Sequence, residues 1–443
     1  MRWSLPLLRN ALRQFADAAS ALYGEAMRRT PLPGDALGAF HAAKAVQDAT
    51  YLLPEWHGVL AVIEADEQLS SQVGKFVGTI VGGRVISARE LGNDFVTQVM
   101  YAHLGENEGF RITDAVFDKI YQPIDAFLGS EDIVYDIFVV LMGLKCQSPK
   151  IVLDDGVSIE LLGNEDIRLT EMRFSLLSVA RDQVERGIGE VQLPEHYRYA
   201  FRKTLSLPKV SEIPSSSVAA TIYNKVDADR RTCLRAIAAA TYCKIHSWRT
   251  QMVERSWRSR MLSWTFREPL LLARYEVPGA TLSLADEATV LRAWRHLTFP
   301  KSNNAAVEIV LDRLAGLGSR ATDEDQLIDV MIACEAFFTP GKNPEIRFRL
   351  AMNAAILAPM TMGAWTQAFV FEFMQKAYDL RSDIVHGEAS RKPIRVREQS
   401  YDLRTTTYYV AEIVRRAVKY QMDRVEPGGK LLLDWNSTLY FGA

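Results

Sequence analysis

Apolar residues recur at helical spacing through most of this chain, and the spacing changes character in only a few places. Residues 7–50 carry it with charged faces, interrupted at Pro31-Leu32-Pro33-Gly34. Gly58-Val59-Leu60-Ala61-Val62-Ile63 is a continuous apolar run and is expected to form a buried strand. Phe76 to Val81 and Arg84 to Ser87 flank Gly82-Gly83, and two adjacent glycines suit the positive φ angles of a primed hairpin turn. Helical spacing is expected again over residues 91–146. A second hairpin is signalled by Ile151-Val152-Leu153 and Val157 to Leu161, with Asp154-Asp155-Gly156 as its turn. Strand-like residues return over 204–210.

From Ser283 onward nearly everything reads as helix. Thr322 followed by Asp323, Glu324 and Asp325 is a capped helix start, with acids where the helix dipole favours them. Leu327, Met331, Cys334 and Phe338 form its apolar stripe. After the turn at Pro340-Gly341-Lys342-Asn343-Pro344, Asn343 is expected to cap a helix and Pro344 to open it. The next stripes are Ile346, Leu350, Ala354, Leu357 and then Trp365, Phe369, Phe373, Ala377, Ile384. A last helix is expected over 401–424. Long amphipathic helices joined by short turns predict an up-down bundle. The fold class is therefore α+β and predominantly helical. An α+β region at 1–220 precedes a basic, aromatic helical connector at 221–285 and an all-α bundle at 286–443.

Composition changes this picture little. A formal net charge of −2 makes any nucleic-acid surface a local patch. One such patch stands out. Residues 225–267 hold ten Lys/Arg against Asp227, Asp229 and Glu254, with Trp248, Trp257, Trp264 and Phe266 interleaved. That mixture suits a phosphate backbone with stacked bases. It equally suits an amphipathic helix whose arginines pair with acids elsewhere. Cys146, Cys233, Cys243 and Cys334 form no C-x-x-C pair, so neither a disulfide framework nor a structural zinc site is expected. The N-terminus turns charged at Arg2, and the longest apolar run, Ile137 to Leu144, is too short to span a bilayer. A cytoplasmic protein with no membrane contact is expected. Residues 1–220 contain no Gly-rich phosphate loop, nucleophile elbow or metal-ligand cluster, and His41, His57, His103 and His196 are scattered.

Candidate chemistry concentrates at Tyr378-Asp379-Leu380-Arg381-Ser382-Asp383-Ile384-Val385-His386-Gly387. Histidine exchanges protons near neutral pH, and arginine clamps phosphate with parallel hydrogen bonds. Together they suit RNA transesterification, in which a 2′-hydroxyl attacks the adjacent phosphorus, and no metal or cofactor is needed. Residues five apart on an unbroken helix are turned by about 140°, so Arg381 and His386 converge only if the helix ends at the histidine. Gly387 supplies such a stop. The residues alone leave a second reading open, in which Arg381 pairs with Asp379 or Asp383 and His386 offsets the helix dipole. Glu335 and Arg349 border apolar stripes, either as a partly buried ion pair or as lining of a shared cleft.

Three blocks carry a family resemblance: Asp325 to Phe338 with Ala333-Cys334-Glu335-Ala336-Phe337-Phe338, then Arg347-Phe348-Arg349-Leu350-Ala351, then Asp379 to Gly387. In order and spacing, over residues 290–425, this resembles the Apea-like branch of the HEPN superfamily. Residues 90–280 are faintly similar to the upstream domain of such proteins, notably at Asp154-Asp155-Gly156-Val157-Ser158-Ile159. The resemblance implies a helical bundle that dimerises, with the R-x4-6-H motifs of two protomers meeting in one cleft that cuts RNA without metal, as in toxin or antiviral defence effectors. It implies that His386 works as general acid/base or orients the 2′-hydroxyl, and that Arg381 holds the scissile phosphate. Active relatives often carry Asn, Asp or His after the arginine. Here Ser382 stands there, so the polar role falls to Asp383 or is reduced. Lys342, Arg347, Arg349, Arg391, Lys392, Arg395 and Arg397 are the candidate phosphate contacts near the cleft mouth, with solvated surface as the alternative reading. Region 1–220 is the expected sensor or regulator, and a regulatory protein is a further expected partner. The alternative is a non-catalytic RNA-binding or assembly module.

Overall fold

A computed structural model describes residues 5–29, 49–67, 69–70, 76–77, 84–85, 95, 112–163, 198–208, 216–242, 245–254, 263–265, 280–300, 305–320, 322–341, 345–387, 393–433 and 435. Over these residues the chain is predominantly helical α+β. Helices α1 (Pro6–Arg29), α2 (Pro54–Ala65) and α3 (Asp114–Gly129) come first, with a short antiparallel pair β1 (Phe76–Val77) and β2 (Arg84–Val85) before α3. Strands β3 (Asp132–Met142), β4 (Leu144–Cys146), β5 (Lys150–Asp154), β6 (Val157–Leu161) and β7 (Tyr199–Pro208) follow. Helix α4 (Ser216–Ala240) then leads to β8 (His246–Glu254), β9 (Ser263–Thr265) and β10 (Ala280–Leu282). The remainder is α5 (Leu284–Thr298), α6 (Ala305–Ala315), α7 (Asp323–Phe338), α8 (Ile346–Thr361), α9 (Gln367–Val385), the hairpin β11 (Ile394–Val396) and β12 (Gln399–Tyr401), and α10 (Leu403–Arg424).

Strand β3 organises the six-stranded antiparallel sheet, whose order is β5-β6-β7-β3-β8-β9. Alternate residues of a strand share a face. Tyr135 and Ile137 accordingly pack into one core, with Phe15, Trp56 and Phe117 of the first three helices. Val139 and Leu141, further along that face, belong to a second core that runs through α4 into the C-terminal helices. Helix α4 serves both cores: Val226 lies in the first, and Cys233, Ile237 and Ala240 lie in the second. A further tie joins sheet to bundle. Glu287 near the start of α5 accepts from the Ser148 backbone N–H at 2.7 Å and the Ser148 hydroxyl at 2.6 Å.

Several expectations hold. The hairpin at 150–161 is β5–β6, with Gly156 at φ 68° in its turn. Phe76 pairs antiparallel with Val85 and Val77 with Arg84, not in the register that a two-residue turn at Gly82-Gly83 would set, and residues 78–83 lie outside the described residues. Thr322 caps α7 by accepting from the Asp325 N–H at 3.1 Å. Leu327, Met331, Cys334 and Phe338 are all buried.

Others are corrected. Gly58 to Ile63 is helix, not strand: Pro54 opens α2 at a position that needs no N–H, and Trp56, Val59 and Ile63 are its buried face. Residues 132–146 are strand rather than helix, because β3 is a continuous β-branched and aromatic run paired on both edges. The connector at 221–285 is helical only to Ala240, and β8 then joins the sheet. Helix α8 starts at Ile346 after Glu345, which sits at φ 59°. Asn343 and Pro344, expected to start that helix, lie outside the described residues. A short hairpin, β11–β12, interrupts the otherwise helical 286–443.

Candidate functional site

Helix α9 carries the candidate stretch. Its N-terminus is capped by Thr366, whose hydroxyl accepts from the Phe369 N–H at 3.2 Å. Val370, Phe373, Met374, Ala377 and Leu380 are its buried face. It ends as Gly387 predicts: His386 is the C-cap, its N–H reaches the Ser382 carbonyl at 3.0 Å, and Gly387 turns the chain at φ 77°. The stop comes too late to redirect His386, which keeps a near-helical φ of −84° and ψ of 1°. Arg381 and His386 therefore stay on different sides of α9, about 140° apart by helical rotation. Among the described residues no hydrogen bond or ion pair joins them. His386 is exposed, while Arg381, Ser382 and Asp383 are half-buried.

Arg381 turns toward α7. Its Nη2 lies 3.8 Å from Glu335 Oε1, a distance for an ion pair but not a hydrogen bond. Its guanidinium carbon sits 5.8 Å from the centre of the Tyr378 ring. Its Nε is buried without a partner. Other arginines of comparable burial are bound closely. Arg235 meets Asp312 at 2.6 Å and Glu308 at 2.9 Å. Arg415 meets Glu412 at 2.6 Å and the Ala240 carbonyl at 2.7 Å. The Arg381 side chain is only 23% exposed and yet makes no hydrogen bond among the described residues. Its donors are directed but unused.

The expected Glu335–Arg349 pair does not form, because Glu335 faces α9 and Arg381 takes the carboxylate. Arg349 is half-buried and makes no ion pair among the described residues. Burial pushes the Glu335 carboxyl above its ordinary value, and the nearby Arg381 opposes that only in part. Arg347 is engaged elsewhere, donating to Asp379 Oδ2 at 2.6 Å. Asp379 is nonetheless pushed up, by burial first and by the negative charge of Asp383. Arg395 and Arg397 are exposed on the β11–β12 hairpin. Lys342, Arg391 and Lys392 lie outside the described residues. Tyr378 was not singled out in the sequence, although it stands three residues before Arg381, a spacing that makes helical neighbours.

The basic segment at 225–267 divides. Arg230 and Arg231 close on Asp227, and Arg235 bridges to α6, so these arginines serve packing as the ion-pair alternative requires. Trp257 and Phe266 lie outside the described residues. Cys146, Cys233 and Cys334 are buried, and burial pushes the last two thiols well above the ordinary thiol range. Among the described residues no helix is long and apolar enough to cross a membrane. No family model matches the chain, and no curated protein or solved structure matches it significantly.

Proposed function

We propose that this chain is a HEPN-type, metal-independent endoribonuclease, acting in the cytoplasm as a toxin or antiviral effector. The observation that carries the proposal is Arg381, a half-buried guanidinium whose donors make no hydrogen bond among the described residues, on the helix that ends at the exposed His386. A buried donor without a partner costs about 1–3 kcal/mol, so the site gains when an acceptor arrives. A phosphodiester is the acceptor that a planar fork of donors fits best. In the proposed reaction Arg381 holds the non-bridging oxygens. A histidine takes the proton of the 2′-hydroxyl, that oxygen attacks phosphorus, and the 5′-oxygen leaves with a proton, giving a cyclic 2′,3′-phosphate.

Arg381 and His386 of one chain do not meet, so the reaction needs His386 of a second copy. Val385 beside the histidine is 51% exposed, and Ile346 and Phe348 at the start of α8 are 37% and 47% exposed. These apolar side chains would be covered in such a homodimer. Asp383 and Ser382 would flank the cleft as polar support.

RNA cleavage by the purified chain tests this. Arg381→Ala and His386→Ala are each expected to lower the rate by about 10²–10⁴-fold while thermal unfolding stays unchanged. If neither substitution alters RNA cleavage or cellular toxicity, the catalytic reading fails. A second reading, a non-catalytic RNA-binding or assembly module, is favoured by the separation of Arg381 from His386 and by Ser382. It expects RNA binding that survives His386→Ala, weakens steeply with salt and yields no product.

A further inference from the structure

The Glu335–Arg381 contact points to a device that the nuclease reading does not include. We infer that Glu335 is a proton-linked counter-ion of Arg381, occupying it when the site is empty and taking up a proton when a phosphodiester displaces it. The inference rests on Arg381 being the phosphate contact. Its own basis is geometric. Glu335 sits on α7 with its side chain only 28% exposed, and its polar contact among the described residues is Arg381 at 3.8 Å. When Arg381 turns its donors to an anionic ligand, this carboxylate is left partly buried beside a new negative charge. Two like charges in a confined site cannot both stay ionised, and the carboxyl is the one able to titrate. The burial that already raises its proton affinity acts in the same direction.

The surrounding charges leave Glu335 in this role. On α7 itself, Asp329 is held by Arg313 of α6 and by Arg320. On α8, Arg347 is engaged with Asp379, and Arg349 remains as a positive charge. On α10, Glu412 is closed by Arg415 and Arg416. On α9, Asp383 and His386 are the other ionisable side chains of the motif, and His386 is removed in the test.

The test is equilibrium binding of a short 2′-O-methyl oligonucleotide to the full chain carrying His386→Ala, from pH 5 to pH 8. The diesters of that probe do not titrate in this range, and it cannot be cleaved. With Glu335 present, affinity is expected to rise as pH falls, by up to about tenfold per pH unit for one linked proton. Heats measured in two buffers of different ionisation enthalpy should show proton uptake. Glu335→Gln is expected to flatten the profile and to tighten binding at pH 8. Glu335→Met serves as a second neutral variant should the first fold poorly. Arg381→Ala should abolish the difference between Glu335 and Gln. A pH slope that persists in both neutral variants, or weaker binding at pH 8 in both with unfolding unchanged, overturns the inference. So does binding that is indifferent to Arg381→Ala. Proton-linked binding without any RNA cleavage by the unsubstituted chain would sink the nuclease reading and leave this one standing.

Discussion

Gly387 and Gly428 both hold the chain at positive φ, 77° and 91°, and they separate two costs. At Gly387 no described residue lies within 4 Å of where a Cβ would stand, so Gly387→Ala is expected to carry the backbone penalty of about 1–2 kcal/mol. At Gly428 the added carbon would overlap the Phe299 ring as well. Gly428→Ala is therefore expected to lower the unfolding midpoint more than Gly387→Ala, and the opposite order in thermal melts would contradict the packing described. His296 gives a pH prediction. It is buried at 1% exposure, with Nε2 3.1 Å from the Met422 carbonyl, and burial pushes its pKa below the ordinary histidine value. The folded state thus binds the proton more weakly than the unfolded chain. Stability from the neutral ring is full above the unfolded pKa of about 6.5 and falls as the solution is acidified through that value. In denaturant titrations at pH 7.5 and pH 5.5, His296→Gln is expected to shrink the loss of stability between the two.

Elements were legible where a single residue type had a single local use. Thr322 before three acids could only start a helix well, and Gly387 could only stop one. Asp154-Asp155-Gly156 made the one turn that its flanking strands needed. Continuous apolar runs were not legible, since periodicity cannot separate a buried strand from a buried helix. Gly58 to Ile63 reads as strand and folds as helix, Ile133 to Met142 reads as helix and folds as strand, and what decides them is their neighbours: Pro54 for α2, two flanking strands for β3. The partner of Glu335 was hidden for a different reason. Its position at the edge of a stripe is readable, but which neighbouring helix it faces depends on how α7 is rotated in the bundle. The aromatic contacts of α9 offer a check on the bundle itself. Phe373 is fully buried, with Trp365 at 5.4 Å and Tyr401 at 5.3 Å. Phe373→Ala is expected to cost about 3–5 kcal/mol by urea unfolding, whereas a cost under about 1 kcal/mol would mean that α9 is not packed as described.

At the scale of the molecule, the two cores meet in α4. Its C-terminal carbonyls at Ala239 and Ala240 accept from Arg415 of α10 at 3.3 and 2.7 Å, and Glu412 holds that arginine. Arg415→Ala would strip both the carbonyls and the buried carboxylate of their main partner, at an expected cost of about 3–5 kcal/mol, read as a lowered urea midpoint. The position of α4 also bears on where the chain can be divided. Residues 286–443 carry every proposed catalytic group, yet α5, α6 and α10 all pack on α4, and Cys233, Ile237 and Ala240 fill the core they surround. A fragment beginning at 286 would present that lining to water, so it should elute as aggregate and melt without a cooperative transition. A fragment beginning at 216 restores α4 to that core, though it lacks the residues that β3 to β7 contribute, and should melt more cooperatively than the fragment from 286. For anyone wishing to isolate the half that carries the proposed catalytic groups, the natural scissors point is ahead of Ser216, some seventy residues upstream of residue 286, where the sequence pattern alone starts the helical bundle.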